Sequence, residues 1–215
     1  MTILTTRDCV EYALLDADDL APAADVIARG FTDGSEPTAL ALGLGQEDFK
    51  PFVEALLPKF LEEGLSIVAR DTITREIVGA ELNEGLGLDF PVEPNQFDWV
   101  APVLALATDL YGRYFQGAPP APGESVHLFM IGVSEWHRGK GIAQQLLGLS
   151  LERARSRGYR RAVAEASGII SQHILRRAGF TSRVEIHYAT FEYEGKQTFK
   201  NTGDHPSIIL MDKDL

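Results

Sequence analysis

The sequence predicts an α/β domain on a mixed sheet, and three observations carry that expectation. Short, nearly continuous apolar runs read as strands, as over 127–133, while longer runs repeat at helical spacing, as over 49–61 and 141–157. From residue 127 onward the two patterns interleave as β-α-β-α-β-β, which reads as helices packed on a sheet. Finally, 215 residues of which 45% are hydrophobic can bury one sizeable core.

Taken in order, residues 10–15 read as a strand. Asp16 to Asp19 brings N-cap chemistry ahead of Leu20, Ala24, Ile27 and Phe31, which repeat at helical spacing, and 32–37 is a turn-rich loop. Phe49, Phe52, Val53, Leu56, Leu57, Phe60 and Leu61 form the strongest helical stripe of the first half, read as core, with Pro58 expected to kink it. Residues 65–70 and 76–82 predict a β-hairpin. A loop over 85–96 leads to a helix over 97–115, with Val100, Val103, Leu104, Ala107 and Leu110 on one face. The Pro/Gly stretch 117–123 is the one candidate internal boundary, too short to demand two domains. Beyond it come strand 127–133, helix 141–157 with Gly158 at its C′ position, strand 161–166, a short helix over 169–178, and strands 181–191 and 207–211.

Composition narrows the function. A formal charge of −11 argues against a nucleic-acid partner, since phosphate binding needs an excess of Lys and Arg. Residues 138–183 nevertheless hold ten basic residues against Glu152 and Glu165, a local balance of +8 that suits a small polyanion, although several of those arginines also fit a solvated helix face. One cysteine, Cys9, excludes an internal disulfide framework and is read as structural. No stretch is long and apolar enough to span a membrane, so a cytoplasmic protein without membrane contact is expected.

The chemistry concentrates where strand 128–133 runs through Ser134-Glu135-Trp136-His137 into Arg138-Gly139-Lys140-Gly141-Ile142-Ala143 and then a helix. Two glycines at a strand-to-helix turn let backbone approach a ligand, and the free N–H groups of the helix favour an anion, most naturally a pyrophosphate. A Walker A loop needs Ser or Thr after Gly-Lys, where Gly141 stands. A dinucleotide-binding turn needs a third glycine, where Gln144 stands, and has a shorter approach from the strand. A glycine turn without ligand is the bland alternative.

At these residues the chain resembles the GCN5-related N-acetyltransferase (GNAT) superfamily. Arg138, Gly141 and Ala143, with Val133 five residues before Arg138, fit its Arg/Gln-x-x-Gly-x-Gly/Ala signature, and Leu175-Arg176-Arg177-Ala178-Gly179-Phe180 resembles its closing helix and Gly-Phe turn. The flanks resemble insect arylalkylamine (dopamine) N-acetyltransferases: Phe31, Asp33 and Glu36-Pro37 around an insertion at Gly34-Ser35, the pair Ser167 and Ser171, and the tail from Tyr193 to Phe199 with His205 and Lys213.

The resemblance implies a single GNAT domain over 1–215, with an acceptor-side half (1–123) and an acetyl-CoA-binding core with C-terminal strands (124–215). It implies that Arg138, Gly139, Lys140, Gly141, Ile142 and Ala143 hold the pyrophosphate while Ile131, Gly132 and Val133 on a splayed strand pair with the pantetheine; Gly132 is where that strand would tolerate a bulge. Transfer needs a neutral amine, and an alkylamine titrating near 10 is uncharged in roughly one molecule per thousand at pH 7, so a base is required. The resemblance makes Glu36 that base, with a solvated loop glutamate as the plain reading. His127 is the rival, matching one of the paired strand histidines of the vertebrate enzymes, with Phe129 at the second position, and a core or surface histidine is its plain reading. Leu175 stands where many members carry the tyrosine that protonates the CoA thiolate. Ser167 and Ser171 are the implied substitutes, although Ser167 equally fits an N-cap of the following helix. His137, His173, His187 and His205 lack metal-ligand spacing, so no metal is expected. Tyr111, Tyr114, Phe90 and Phe97 are candidates for an aromatic acceptor pocket or for core. The expected protein is an acetyl-CoA-dependent N-acetyltransferase, monomer or homodimer, acting on a small primary amine such as an arylalkylamine or polyamine. The alternative is a non-catalytic acyl-CoA-binding sensor or interaction module.

Overall fold

The computed structural model of the chain describes residues 2–87, 96–117 and 121–215. Eight strands form one sheet in the order β1 (Ile3–Arg7), β2 (Val10–Leu14), β3 (Ile67–Asp71), β4 (Ile77–Gly85), β5 (Ser125–Val133), β6 (Arg161–Ala166), β10 (Ser207–Asp214), β7 (Thr181–His187). Every pairing is antiparallel except β5 with β6, so the sheet is mixed, as the sequence predicts. β4 and β5, one from each side of the 117–123 stretch, pair along most of their length. Residues 118–120 of that stretch, most of the 85–96 loop and Phe90 lie outside the described residues.

Helices cover both faces. On one, α1 (Leu20–Thr32) and α3 (Gln46–Glu63) bury Ala24, Ile27, Phe52, Val53, Leu56 and Phe60 against Ala80, Leu82 and Met130. Each large side chain fully buried there contributes roughly 1.5–3 kcal/mol. Further along the same sheet, α4 (Val100–Phe115) sets Leu106 and Leu110 against Ile186 and Leu210. On the opposite face, α5 (Ile142–Ser156) and α6 (Ile169–Arg177) cover Leu128, Ala162, Ala164 and Ala166. α1 begins where Asp16 and Asp19 exchange hydrogen bonds, the capping chemistry expected there.

α3 runs unbroken through Pro51 and Pro58, seven residues apart and both exposed. Three local expectations are corrected. β1 escapes the sequence because it is an edge strand whose Ile3 and Leu4 are both exposed, leaving no buried face to read. The loop after α1 contains a six-residue helix, α2 (Pro37–Leu42), too short for a periodic signal. The strand expected over 181–191 stops at His187, where a tight turn leads into the hairpin of β8 (Glu192–Tyr193) and β9 (Lys196–Gln197).

Candidate active site

The site begins where two parallel strands part. β5 pairs with β6 only through Ser125, His127 and the residue between them, against Arg161–Val163, while β5 keeps its partner β4 up to Val133. The slot that opens beyond His127 belongs to a cavity of about 1430 Å³, larger than one small-molecule ligand needs. Glu36, His127, Ile131, Gly132, Val133, Arg138, Gly139, Gly141, Ile142, Ala143, Ser167 and Ser171 all border it. Residues far apart in the chain are therefore brought to one space. Lys140 is exposed and does not line it.

The β5–α5 turn has the geometry of an anion cradle. Gly139 and Gly141 take left-handed φ values of 75° and 77°, and α5 starts at Ile142 with no side-chain cap on its first N–H groups. A Cβ on either glycine would meet nothing within 4 Å, so the space before the turn is open. With a single parallel pair the sheet is neither a Rossmann nor a P-loop sheet, which removes the two rival readings of this turn. Arg138 donates to the Asp33 carboxylate, joining the turn to the loop that carries Glu36. Burial pushes Asp33 up, but hydrogen bonds from Ser35 and Arg138 outweigh it and hold the carboxyl below its usual value.

Gly132 is not the bulge. The register slips between Leu82 and Asn83, which face Met130 and Leu128, so Phe129 is the extra residue. Gly132 stays opposite Ala80, and its lack of a side chain serves packing: a Cβ there would lie 3.0 Å from both the Ile27 Cα and the Val26 carbonyl oxygen. α1 can lie on the strand only because of that glycine.

Elsewhere in the lining, Glu36 is buried and caps α2, its carboxylate accepting from the Ala39 N–H at 2.6 Å and the Thr38 hydroxyl at 2.7 Å. Tyr188 donates to the Ser167 carbonyl at 2.7 Å, and burial and then the charge of Glu36 push its phenol well up. The cap of α6 is Gly168 rather than Ser167. Ser171 closes that turn, accepting from the Gly168 N–H at 3.2 Å and donating to its carbonyl at 2.9 Å. The Ser167 hydroxyl has no hydrogen-bond partner among the described residues. Leu175 borders the cavity where a tyrosine would supply a proton, and its wall there is apolar. His205, noted in the sequence only in the tail, also lines the cavity and accepts the Ile169 N–H at 3.1 Å.

Aromatic residues line the cavity as well. Phe31 stacks on Phe49 at 5.1 Å, Phe49 on Trp99 at 5.5 Å, and Phe52 meets Trp99 edge-on at 4.9 Å; all four border the cavity. Phe49 and Phe52 belong to the stripe read as core, and they do both jobs. Of the expected pocket aromatics Tyr111 borders the cavity, whereas Tyr114 hydrogen-bonds Asp212 at 2.5 Å outside it and Phe97 packs against Phe52.

Three carboxylates legible only in three dimensions complete the lining: Glu81, Glu84 and Glu165. Glu84 and Glu165 flank His127, Nδ1 facing Glu84 at 3.2 Å and Nε2 facing Glu165 at 2.7 Å. That placement opposes the expectation of His127 as a base, because a ring between two carboxylates is already protonated. Glu81 is fully buried under α5, where the Ser150 hydroxyl donates to it at 2.7 Å; burial pushes its carboxyl up to about 8, against that hydrogen bond. A carboxyl raised on folding contributes its stability below its unfolded value and loses it as pH rises through the folded one. Glu81→Gln is therefore expected to leave stability nearly unchanged at pH 4 and to raise it by about 4 kcal/mol at pH 8, read as a flatter dependence of Tm on pH.

Residues 108–180 match the family model described as the acetyltransferase (GNAT) family. Solved structures of the same shape include arylalkylamine N-acetyltransferase 2 from Aedes aegypti, with a TM-score of 0.81 at 22% identity, covering 95% of this chain and 98% of that one. Another is the polyamine N-acetyltransferase of Drosophila melanogaster that forms N-acetylagmatine, with a TM-score of 0.73 at 18% identity, covering 96% and 100%. The C-terminal condensation domain of Ebony, solved with β-alanyl-dopamine, also scores 0.81 at 17% identity, covering 96% and 99%. At such identities the likeness establishes the fold. The chain thus carries a GNAT-family segment over residues 108–180, inside a fold that it shares over nearly its whole length with the insect N-acetyltransferases.

Proposed function

We propose that the chain, acting as one catalytic unit, is an acetyl-CoA-dependent N-acetyltransferase that passes the acetyl group directly to the primary amine of an arylalkylamine. One observation carries the reading: a single cavity is bordered by the uncapped α5 turn, by the buried Glu36 carboxylate and by the aromatic side chains Phe31, Phe49, Phe52 and Trp99. The turn at 138–143 suits the pyrophosphate and the slot along Ile131–Val133 the pantetheine. Phe31, Phe49, Phe52 and Trp99 favour an aryl acceptor over a polyamine.

In the transfer, the amine nitrogen forms a bond to the thioester carbonyl carbon and the C–S bond breaks. Glu36 takes the ammonium proton, directly or through water, before or during attack, and its charge also draws in the cationic amine. The thiolate leaves and must gain a proton or a hydrogen bond. Ser171 has its O–H committed to the Gly168 carbonyl, so Ser167, whose hydroxyl has no protein partner among the described residues, is the better donor.

Thiol release from acetyl-CoA with a panel of arylalkylamines and polyamines tests this, paired with acetyl-CoA titration by calorimetry. Arylalkylamine-stimulated release is the expected result. Binding without release would favour the sensor reading, and release only with polyamines would overturn the aryl assignment.

A further inference from the structure

We infer that His127 is a doubly protonated imidazolium that bolts β4, β5 and β6 together at the closed end of the cofactor slot, and so serves the reaction as a positioning residue rather than as its base. The functional half of this statement rests on the proposed acetyl transfer; the protonation half does not.

Position is the first support. His127 is the last residue of β5 paired to β6, opposite Val163, and it precedes the bulge at Phe129. Its antiparallel neighbour on β4 is Glu84, and Glu165 reaches it from β6. The ring thus joins three adjacent strands at the point where two of them begin to separate.

Hydrogen-bond capacity is the second. A neutral imidazole has one N–H and one lone pair, so between two carboxylates it would turn that lone pair on a negative oxygen. Both contacts are favourable only when both nitrogens carry protons. Every charged or titratable group that faces the cluster fits this state. Glu84 also receives the Lys59 ammonium, which lies 3.8 Å from Glu63 as well. Tyr111 presents its ring edge-on to His127, with centroids 6.3 Å apart, and burial followed by the charge of Glu165 holds its hydroxyl well up, hence neutral. Phe129 packs against the imidazole from the bulge, centroids 5.2 Å apart. Burial alone would push His127 down; the charges and hydrogen bonds of Glu165 and Glu84 outweigh it and carry the imidazole up to about 10.

Removing the cation would leave two buried carboxylates facing each other, and β5 and β6 would separate further along or one acid would take up a proton. Either change moves the closed end of the slot. Since the folded chain keeps this proton up to about pH 10 and an unfolded histidine loses it near 6.5, the bolt stabilises fully below 6.5 and progressively less as pH rises toward 10.

The test uses the full chain labelled with ¹³C and ¹⁵N in histidine. Between pH 5.5 and 8.5 the His127 ring should show protons on both nitrogens and no titration. A His127 midpoint between 6 and 7 would overturn the inference whether or not the protein transfers acetyl groups. In the active protein, His127→Gln should weaken acetyl-CoA binding at least tenfold while preserving the shape of the pH–rate profile, and His127→Gln with Glu165→Gln should recover most of the affinity. Loss of the acid limb of that profile at unchanged affinity would instead make His127 the base and sink the proposal. Should His127→Gln fail to fold, the spectrum of the unmodified chain decides.

Discussion

Glu36→Gln should lower kcat for an arylalkylamine at pH 7 by about 10²–10³-fold, the usual worth of a positioned base, and change acetyl-CoA affinity by less than about twofold. The substitution separates two roles of one side chain. A glutamine oxygen can still accept from the Ala39 N–H, so the α2 cap survives and Tm should move little; what disappears is the charge and the proton acceptor. The deficit should shrink as pH rises toward 9.5, because an amine titrating near 10 then supplies its own neutral form. Steady-state thiol release from pH 6.5 to 9.5 reads this. Unchanged turnover at pH 7 would remove Glu36 as the base and leave a water chain in its place, since His127 already holds both its protons.

The second large effect is expected in packing. Gly132→Ala places a methyl 3.0 Å from two backbone atoms of α1, neither of which can swing aside as a flexible side chain would. Either α1 lifts from β5 or the strand edge along the slot shifts, at a cost of about 2–3 kcal/mol. For a chain of this size that is a fall in Tm of about 5–10 °C. Acetyl-CoA affinity should drop with it, because the displaced residue lies between Ile131 and Val133 on the same slot. Thermal melts and calorimetric titration check the two parts; an unchanged Tm would show that α1 does not bear on this strand as tightly as the geometry states.

These two residues were visible in the sequence for different reasons. Glu36 is legible through its neighbours Phe31, Asp33 and Pro37, and the fold places it, buried, in the lining of the cavity. Gly132 is legible as a glycine inside a strand, and the fold uses it for the close approach of α1 and not for a bulge. Strand glycines mark either a bulge or a close approach, and only the position of α1 decides between them. Ser167 and Ser171 show the same limit: both were named, yet which hydroxyl is committed to the backbone depends on where α6 starts, one residue later than a Ser167 cap requires.

The sequence by itself determined the α/β class, most of the helix and strand spans, the glycine turn at 138–143 and the family resemblance. Each is written locally, in apolar periodicity, cap chemistry and a contiguous glycine motif, so no long-range contact is needed to read it. The acid pair around His127, the burial of Glu81 and the aromatic wall were decided only by tertiary structure. Glu84, His127 and Glu165 are separated by 43 and 38 residues along the chain and meet because β4 pairs with β5 and β5 with β6. Nothing in the local pattern of a strand marks which glutamate will face a histidine on the neighbouring strand. Side-chain protonation follows from that neighbourhood, through desolvation and facing charges, and so the chemistry of His127 could be assigned only once the sheet was assembled.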